Sequence, residues 1–568
     1  MRVFNEIRFD NLRGVLFGGV TAAIIALPMA LAFGVASGAG PAAGLYGAVL
    51  VGLFAALFGS TPTLISEPTG PMTVIMTAVI AQLIAANPQE GMAMAFTVVM
   101  MAGLFQILFG ILKLGHYVTL MPYTVVSGFM TGIGVILIVL QLGPFLGQAT
   151  PPGGVIGTMT SLPELLGNIE PVETALALMT FALLVFFPKR LRRYMPPQLL
   201  ALVIGTLIAI FFLGDAEIRR IGEIPTGLPE LQLPLFTADQ WQTMILDAAV
   251  LAVLGSIDAL LTSVIAENLT RKEGNANKEL VGQGIGNLAS GLFGGMPGAG
   301  ATMGTVVNIQ TGGRSALSGL TRALLLLVVV LWAADLTAEI PLAVLAGIAL
   351  KVGVDIIDWS FLKRAHIVSM RATLIMYGVI ALTVFVDLIA AVAIGVFIAN
   401  LLTIERMAKL QSESVKAITD RDSEKHELSH VEQTLLERAH GKILVFSLGG
   451  PLFFGMAKTI ARQYAVLSGH EVLIVDLTDV PSLGVSSSLA LEKMVLEDME
   501  ANRPVFLAGL SDAVRSRLGK LGLLERIPPD HILETRREAL AKASALLEDG
   551  EESRSGNASP ATQTPASD

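Results

Sequence analysis

Between Arg13 and Glu67 the chain carries no Asp, Glu, Lys, Arg or His, a run of 53 residues. About 20 apolar residues cross a bilayer as a helix, so this run alone has room for two crossings. Comparable runs occupy residues 91–112, 117–162 and 174–188. Further apolar stretches, some holding an isolated acid, cover 195–213, 244–266, 280–294, 323–332, 341–350 and 372–402. Divided at their Gly and Pro residues, these give about fourteen spans, two of them too short to cross alone. The expected fold is an α-helical polytopic membrane protein.

Charge is distributed unevenly along the 568 residues. Residues 1–410 hold 44 charged side chains, whereas the remaining 158 hold 41. The second part therefore has the composition of a soluble domain. The expected division is a cytoplasmic N-terminus (1–12), a transmembrane domain (13–407), a linker (408–440), a soluble domain (441–548) and a disordered tail (549–568). The net charge of −9 argues against a nucleic-acid partner. The absence of Cys excludes disulfides, thiol catalysis and Cys-ligated zinc.

Loop charge sets the expected topology. Basic clusters stand at residues 189–193, 271–272, around Arg314 and at 363–364. With fourteen spans and a cytoplasmic N-terminus all four are cytoplasmic, as the positive-inside rule requires. The acid-leaning loops at 164–173 and 215–239 then lie outside, and the soluble domain returns to the cytoplasm.

Two segments break the apolar pattern in corresponding ways. Ser66-Glu67-Pro68-Thr69-Gly70-Pro71-Met72-Thr73-Val74 opens a helical stretch to about residue 85. Pro297-Gly298-Ala299-Gly300-Ala301-Thr302-Met303-Gly304-Thr305-Val306 opens a shorter one to about residue 311. Irregular backbone at membrane depth is tolerated where it is buried in protein or lines a cavity. A matched pair of interrupted segments points to a transporter's central site. Two half-helix N-termini would offer free N–H groups and positive dipole ends to an anion; ordinary kinks or re-entrant loops are the plainer reading.

Asp258 stands near the middle of the apolar stretch 244–266. A carboxylate there is costly in lipid and faces protein or water. Thr262, four residues on, shares its helix face. With unwound carbonyls from Gly300 and Thr302 the carboxylate and the Thr262 hydroxyl would form an all-oxygen cage, suited to a hard cation such as Na⁺. A protonation site, and an Asp hydrogen-bonded to a neighbouring helix, are the alternatives. Glu67, beside the first break, reads as an orienting residue. His116 and His366 fall at span ends and suggest no metal site. The string Gly282-Gln283-Gly284-Ile285-Gly286-Asn287 lacks the preceding strand of a dinucleotide fingerprint and reads as close helix packing.

In the soluble part, strands are expected at 442–448, 471–477 and 504–509 and helices at 457–467, 486–502 and 511–518. This is the alternation of a small α/β layer fold.

These stretches, together with Ile257-Asp258-Ala259-Leu260-Leu261-Thr262-Ser263 and the segment from Asp355 through Trp359 to His366, resemble the sulfate permease (SulP) family of anion transporters. Within that family the likeness is nearest to the sodium-dependent bicarbonate transporters, and it spans nearly the whole chain. The resemblance implies two inverted seven-span repeats forming a core and a gate domain, a cytoplasmic STAS domain and a homodimer with STAS contribution in the plasma (inner) membrane. It implies Na⁺/HCO₃⁻ symport by alternating access. Asp258, Thr262, Gly300 and Thr302 would hold Na⁺, Thr69 and the Ala301 backbone would contact bicarbonate, and no cofactor is involved. The chain departs from the wider family at Pro28-Met29, where many members have Pro-Gln, which weakens the case for sulfate. Many members also have Glu where Asp258 stands, and the shorter side chain leaves room for a cation. Gly484-Val485-Ser486 lacks the acid of related phosphorylation sites, which weakens the case for regulation by phosphorylation at Ser486. A proton-coupled sulfate or dicarboxylate symporter, an anion channel and a membrane-anchored signalling protein are the other readings. No nucleophile–base set suggests an enzyme.

Overall fold

The computed structural model describes residues 4–9, 11–115, 122–188, 196–213, 216–222, 229–332, 337–386, 388–412, 415–419, 428–452, 456–465 and 469–555. His116, the basic cluster at 189–193 and most of the expected tail lie outside them. The chain divides into two compact units, Met1–Ala399 and Asn400–Asp568.

Among the described residues fourteen principal helices run along the membrane part. In the first half these are α1 (Leu12–Ser37), α2 (Pro41–Phe58), α3 (Gly70–Ala86), α4 (Gly91–Ile111), α5 (Tyr123–Leu140), α6 (Pro171–Phe186) and α7 (Pro197–Phe211). The second half holds α8 (Trp241–Thr270), α9 (Ala276–Leu292), α10 (Thr302–Gln310), α11 (Leu317–Trp332), α12 (Leu342–Ile356), α13 (Met370–Phe385) and α14 (Leu388–Ser412). Proline at the first or second position fixes the start of α2, α3, α6 and α7, where a missing N–H costs nothing. Among the described residues five helices, α1, α2, α4, α5 and α8, are long and apolar enough to cross alone. More than two spans are therefore short, because Pro and Gly trim the helices that pack inside the bundle.

Helices α1–α4 pack with α8–α11, and α5–α7 pack with α12 and α13. Within the first group α9 lies against α2 and α4, and its glycines set the spacing. A Cβ on Gly284 would lie 2.6 Å from the Gly103 carbonyl oxygen, and one on Gly282 would lie 2.4 Å from the Gly59 nitrogen. The glycine string is thus a packing surface, as its position inside a span suggests. A short helix, Trp359–Val368, follows α12 and is capped by Asp358, whose carboxylate accepts from the Phe361 N–H at 3.0 Å.

The second unit holds one five-stranded sheet in the order β3 (Val415–Ile418), β4 (Ile443–Gly449), β5 (Val472–Asp479), β6 (Val505–Ala508), β7 (Ile532–Leu533). The β3–β4 pair is antiparallel and the others are parallel. Leu444, Phe446, Leu473 and Val475 enter one apolar layer, while Ile443, Val445, Val472 and Ile474 enter the other. Burial on both faces explains the unbroken apolar runs of β4 and β5. The three expected strands and helices are present within two residues of their expected ends. The stretch assigned to a linker (408–440) differs, since it supplies edge strand β3 and the helix His430–Arg438. A four-residue edge strand with an exposed Lys416 carries too little periodicity to be read. At the far end the helix Arg536–Ser555 enters the first residues of the expected tail.

Gly284→Val should overpack the α9–α4 contact and destabilise the membrane unit by about 1–3 kcal/mol. Its thermal midpoint in detergent should fall, whereas Gly378→Ala, where a Cβ meets nothing within 4 Å inside a helix, should not lower it.

Candidate functional site

The two breaks meet. Ser66–Glu67 forms strand β1 and Ala299–Gly300 strand β2, and they pair antiparallel with Ser66 opposite Gly300 and Glu67 opposite Ala299. The Ala301 N–H donates to the Ile65 carbonyl at 2.8 Å and extends the ladder. Each strand leads directly into a helix, β1 into α3 and β2 into α10. Because the strands are antiparallel, the helices leave in opposite directions with their N-termini close together. Thr69 and Ala301 occupy the N-cap positions in extended conformation, and neither caps its helix with a side chain. The first-turn N–H groups of both helices stay available for an anion.

Helix α8 crosses both breaks with one face. The Thr69 hydroxyl donates to Asp258 Oδ2 at 2.7 Å. One turn on, the Thr262 hydroxyl donates to the Gly300 carbonyl at 2.8 Å and lies 2.9 Å from Thr302 Oγ1. Asp258 and Thr262 are both buried. A Cβ on Gly300 would lie 3.1 Å from both Ala259 Cα and Thr262 Cβ, so glycine is what lets β2 approach α8 this closely. The fold therefore brings together all six residues singled out, Thr69, Asp258, Thr262, Gly300, Ala301 and Thr302. The Asp258 carboxylate, two threonine hydroxyls and the Gly300 carbonyl supply the hard oxygens that a small monovalent cation takes. The Thr69–Asp258 hydrogen bond is a link that spacing alone does not announce.

Buried polar side chains satisfy the irregular backbone. Asn287 of α9 donates to the Gly298 carbonyl at 3.0 Å and accepts from the Gly298 N–H at 2.8 Å. Gln283 donates to Ser66 Oγ at 2.7 Å, and Asn308 donates to the Thr63 carbonyl at 2.9 Å. Arg322, on α11 and fully buried, is the residue that sequence reasoning missed. Its guanidinium pairs with Glu67 and donates to the carbonyls of Ser66 at 3.0 Å and Ala48 at 3.1 Å. An arginine followed by ten apolar residues in one helix was the available signal. Glu67 has the orienting role expected of it. In the second unit Gly484 stands at the N-cap of the helix Val485–Glu500 with no side-chain cap, and Ser486 is exposed.

Known proteins resemble the chain along most of its length. Residues 12–379 match the model of the sulfate permease family, and residues 436–539 match the STAS domain. The bicarbonate transporter BicA of Picosynechococcus sp. is 63% identical over 547 residues, 96% of each chain. YvdB of Bacillus subtilis, provisionally named as a sulfate transporter, is 30% identical over 94% of this chain and 98% of its own. The solved transmembrane domain of a cyanobacterium bicarbonate transporter BicA is 71% identical, with a TM-score of 0.66. It covers 69% of this chain and all of its own.

Arg322→Met should strand the buried Glu67 carboxylate and cost about 3–5 kcal/mol. The double variant Glu67→Gln with Arg322→Met should recover part of that loss, which detergent thermal-unfolding midpoints of the parent, single and double variants will show.

Proposed function

Since the chain belongs to the sulfate permease family and is a multi-pass membrane transporter, we propose that it takes up bicarbonate together with Na⁺ by alternating access. It resides in the plasma membrane as a homodimer with cytoplasmic termini, and its STAS domain contributes to the dimer. Asp258, Thr262, Gly300 and Thr302 hold Na⁺, while Thr69 and the Ala301 backbone, at the α3 and α10 N-termini, contact bicarbonate. The much higher identity to the bicarbonate transporter than to the sulfate-named relative supports this choice of anion.

The hydrogen bond from Thr69 to Asp258 carries the coupling argument. With Asp258 ionised and no cation beside it, the Thr69 hydroxyl is committed to the carboxylate. An entering bicarbonate then meets a negative charge and finds one donor engaged. Two unit charges about 6 Å apart at an effective dielectric of ~20 repel by roughly 3 kcal/mol. Na⁺ beside Asp258 offsets that charge, takes over the carboxylate oxygen and frees the hydroxyl to donate to the anion. Each ligand therefore tightens the other, by reciprocal linkage. Loading both ligands removes the net charge penalty and lets the core carry them past the gate.

Radiolabelled bicarbonate uptake into proteoliposomes should require an inward Na⁺ gradient and be absent with an inward choline gradient at the same pH. Uptake driven instead by a proton gradient would turn Asp258 into a protonation site and reopen sulfate and dicarboxylates as substrates. Asp258→Asn should abolish Na⁺-dependent uptake; near-normal Na⁺ dependence would remove Asp258 from the cation site. Thr69→Ala should weaken bicarbonate uptake more than Na⁺ affinity, with the reverse pattern moving Thr69 out of the anion site.

A further inference from the structure

A second carboxylate on α8 takes no part in the site described above. Asp247 precedes Asp258 by eleven residues, which is three helical turns and about 16 Å along the axis. Eleven steps of 100° return it to within about 20° of the same face. Asp247 lines a cavity of about 550 Å³ between the end of α1, the α3 face from Val74 to Gln82, and the ends of α5 and α13. Val74 lies one turn beyond Gly70, so the cavity reaches inward along α3 almost to the paired breaks. At its other end the wall includes the exposed residues Gln82, Phe385 and Val386. Among the described residues that line it, Asp247 alone is charged.

A wall whose described residues carry one acid and no base is ill suited to receiving an anion and well suited to receiving a cation. We infer that Asp247 is an entry site for the coupling cation, a conclusion that rests on the sodium-coupled reading above. With the N-terminus cytoplasmic, the start of α8 and this cavity lie on the outer side. The Asp247 carboxylate concentrates hydrated monovalent cations in the cavity and passes them down the α8 face to Asp258. One carboxylate in a cavity of this size does not distinguish Na⁺ from K⁺. Selection belongs to the tighter oxygen cage around Asp258, Thr262, Gly300 and Thr302.

The test is labelled bicarbonate uptake as a function of external Na⁺, with choline replacing Na⁺ at constant ionic strength. Asp247→Asn should raise the half-saturating Na⁺ concentration roughly three- to tenfold and keep the maximal rate, and Asp247→Glu should restore it. Because the chain has no cysteine, Asp247→Cys provides a unique thiol for membrane-impermeant methanethiosulfonates added from outside. A sulfonate-bearing adduct should bring the half-saturating Na⁺ back toward the parent value, and a trimethylammonium adduct should raise it further. Parent-like half-saturation in Asp247→Asn and in both adducts would overturn the inference. So would a lost maximal rate with unchanged half-saturation, the mark of a structural role. Uptake by the parent that ignores Na⁺ would instead overturn the coupling reading, so the two failures are distinguishable. Comparing the two adducts on one folded variant keeps the test decisive if Asp247→Asn folds poorly.

Discussion

Two pairs of residues, Ser66 and Glu67 against Ala299 and Gly300, form an antiparallel ladder in the middle of a helical bundle. Extended backbone at that depth leaves peptide groups that lipid cannot satisfy. The ladder pairs some of them, and Asn287, Asn308 and the Arg322 guanidinium take others, while Gln283 holds the Ser66 hydroxyl. Much else follows from that requirement. The glycines of α9 bring its amides within reach of the breaks, and the buried ion pair of Arg322 with Glu67 fixes the strand from the α11 side. The helix starts then stay uncapped by protein, and α8 can lay one carboxylate and one hydroxyl across both.

The sequence made some of this legible and hid the rest, for physical reasons. Long charge-free runs announce membrane spans because lipid tolerates little else. The paired Gly/Pro interruptions stand out against that background, and so does Asp258. Thr262 follows from helical periodicity alone. Arg322 and Glu67 lie 255 positions apart, and no local pattern joins partners so distant. The Thr69 hydroxyl was legible as a polar group at a helix start, where capping its own helix is the ordinary expectation. Its turn toward Asp258 depends on where α8 packs, which is a tertiary matter. In the second unit, the buried central strands were readable from their apolar runs, whereas β3 and β7 were too short to carry a pattern.

The two units also illustrate different solutions to one problem. In the α/β unit a sheet satisfies its backbone internally and covers both faces with helices, so its polar side chains are free to collect at strand ends. Asp476, in the second half of β5, accepts from the Ser447 and Thr478 hydroxyls and pairs with Arg536, which also binds Glu432 of the helix His430–Arg438. That network ties the first helix of the unit to its last. In the membrane unit a large set of polar groups is instead drawn inward, to the paired breaks where the backbone departs from helix.

The ladder between β1 and β2 has a historical corollary. Its strands come from the third and tenth principal helices, seven apart, and each contributes two residues to a near-symmetric pairing. A seven-helix chain alone would carry one such strand and have nothing to pair it with. Two copies inserted in opposite orientations would complete the ladder across their shared axis. Duplication and fusion would then preserve the junction and release each half to diverge. The present asymmetry, with Thr69-Gly70-Pro71 on one side and Gly300-Ala301-Thr302 on the other, is what such freedom would leave behind.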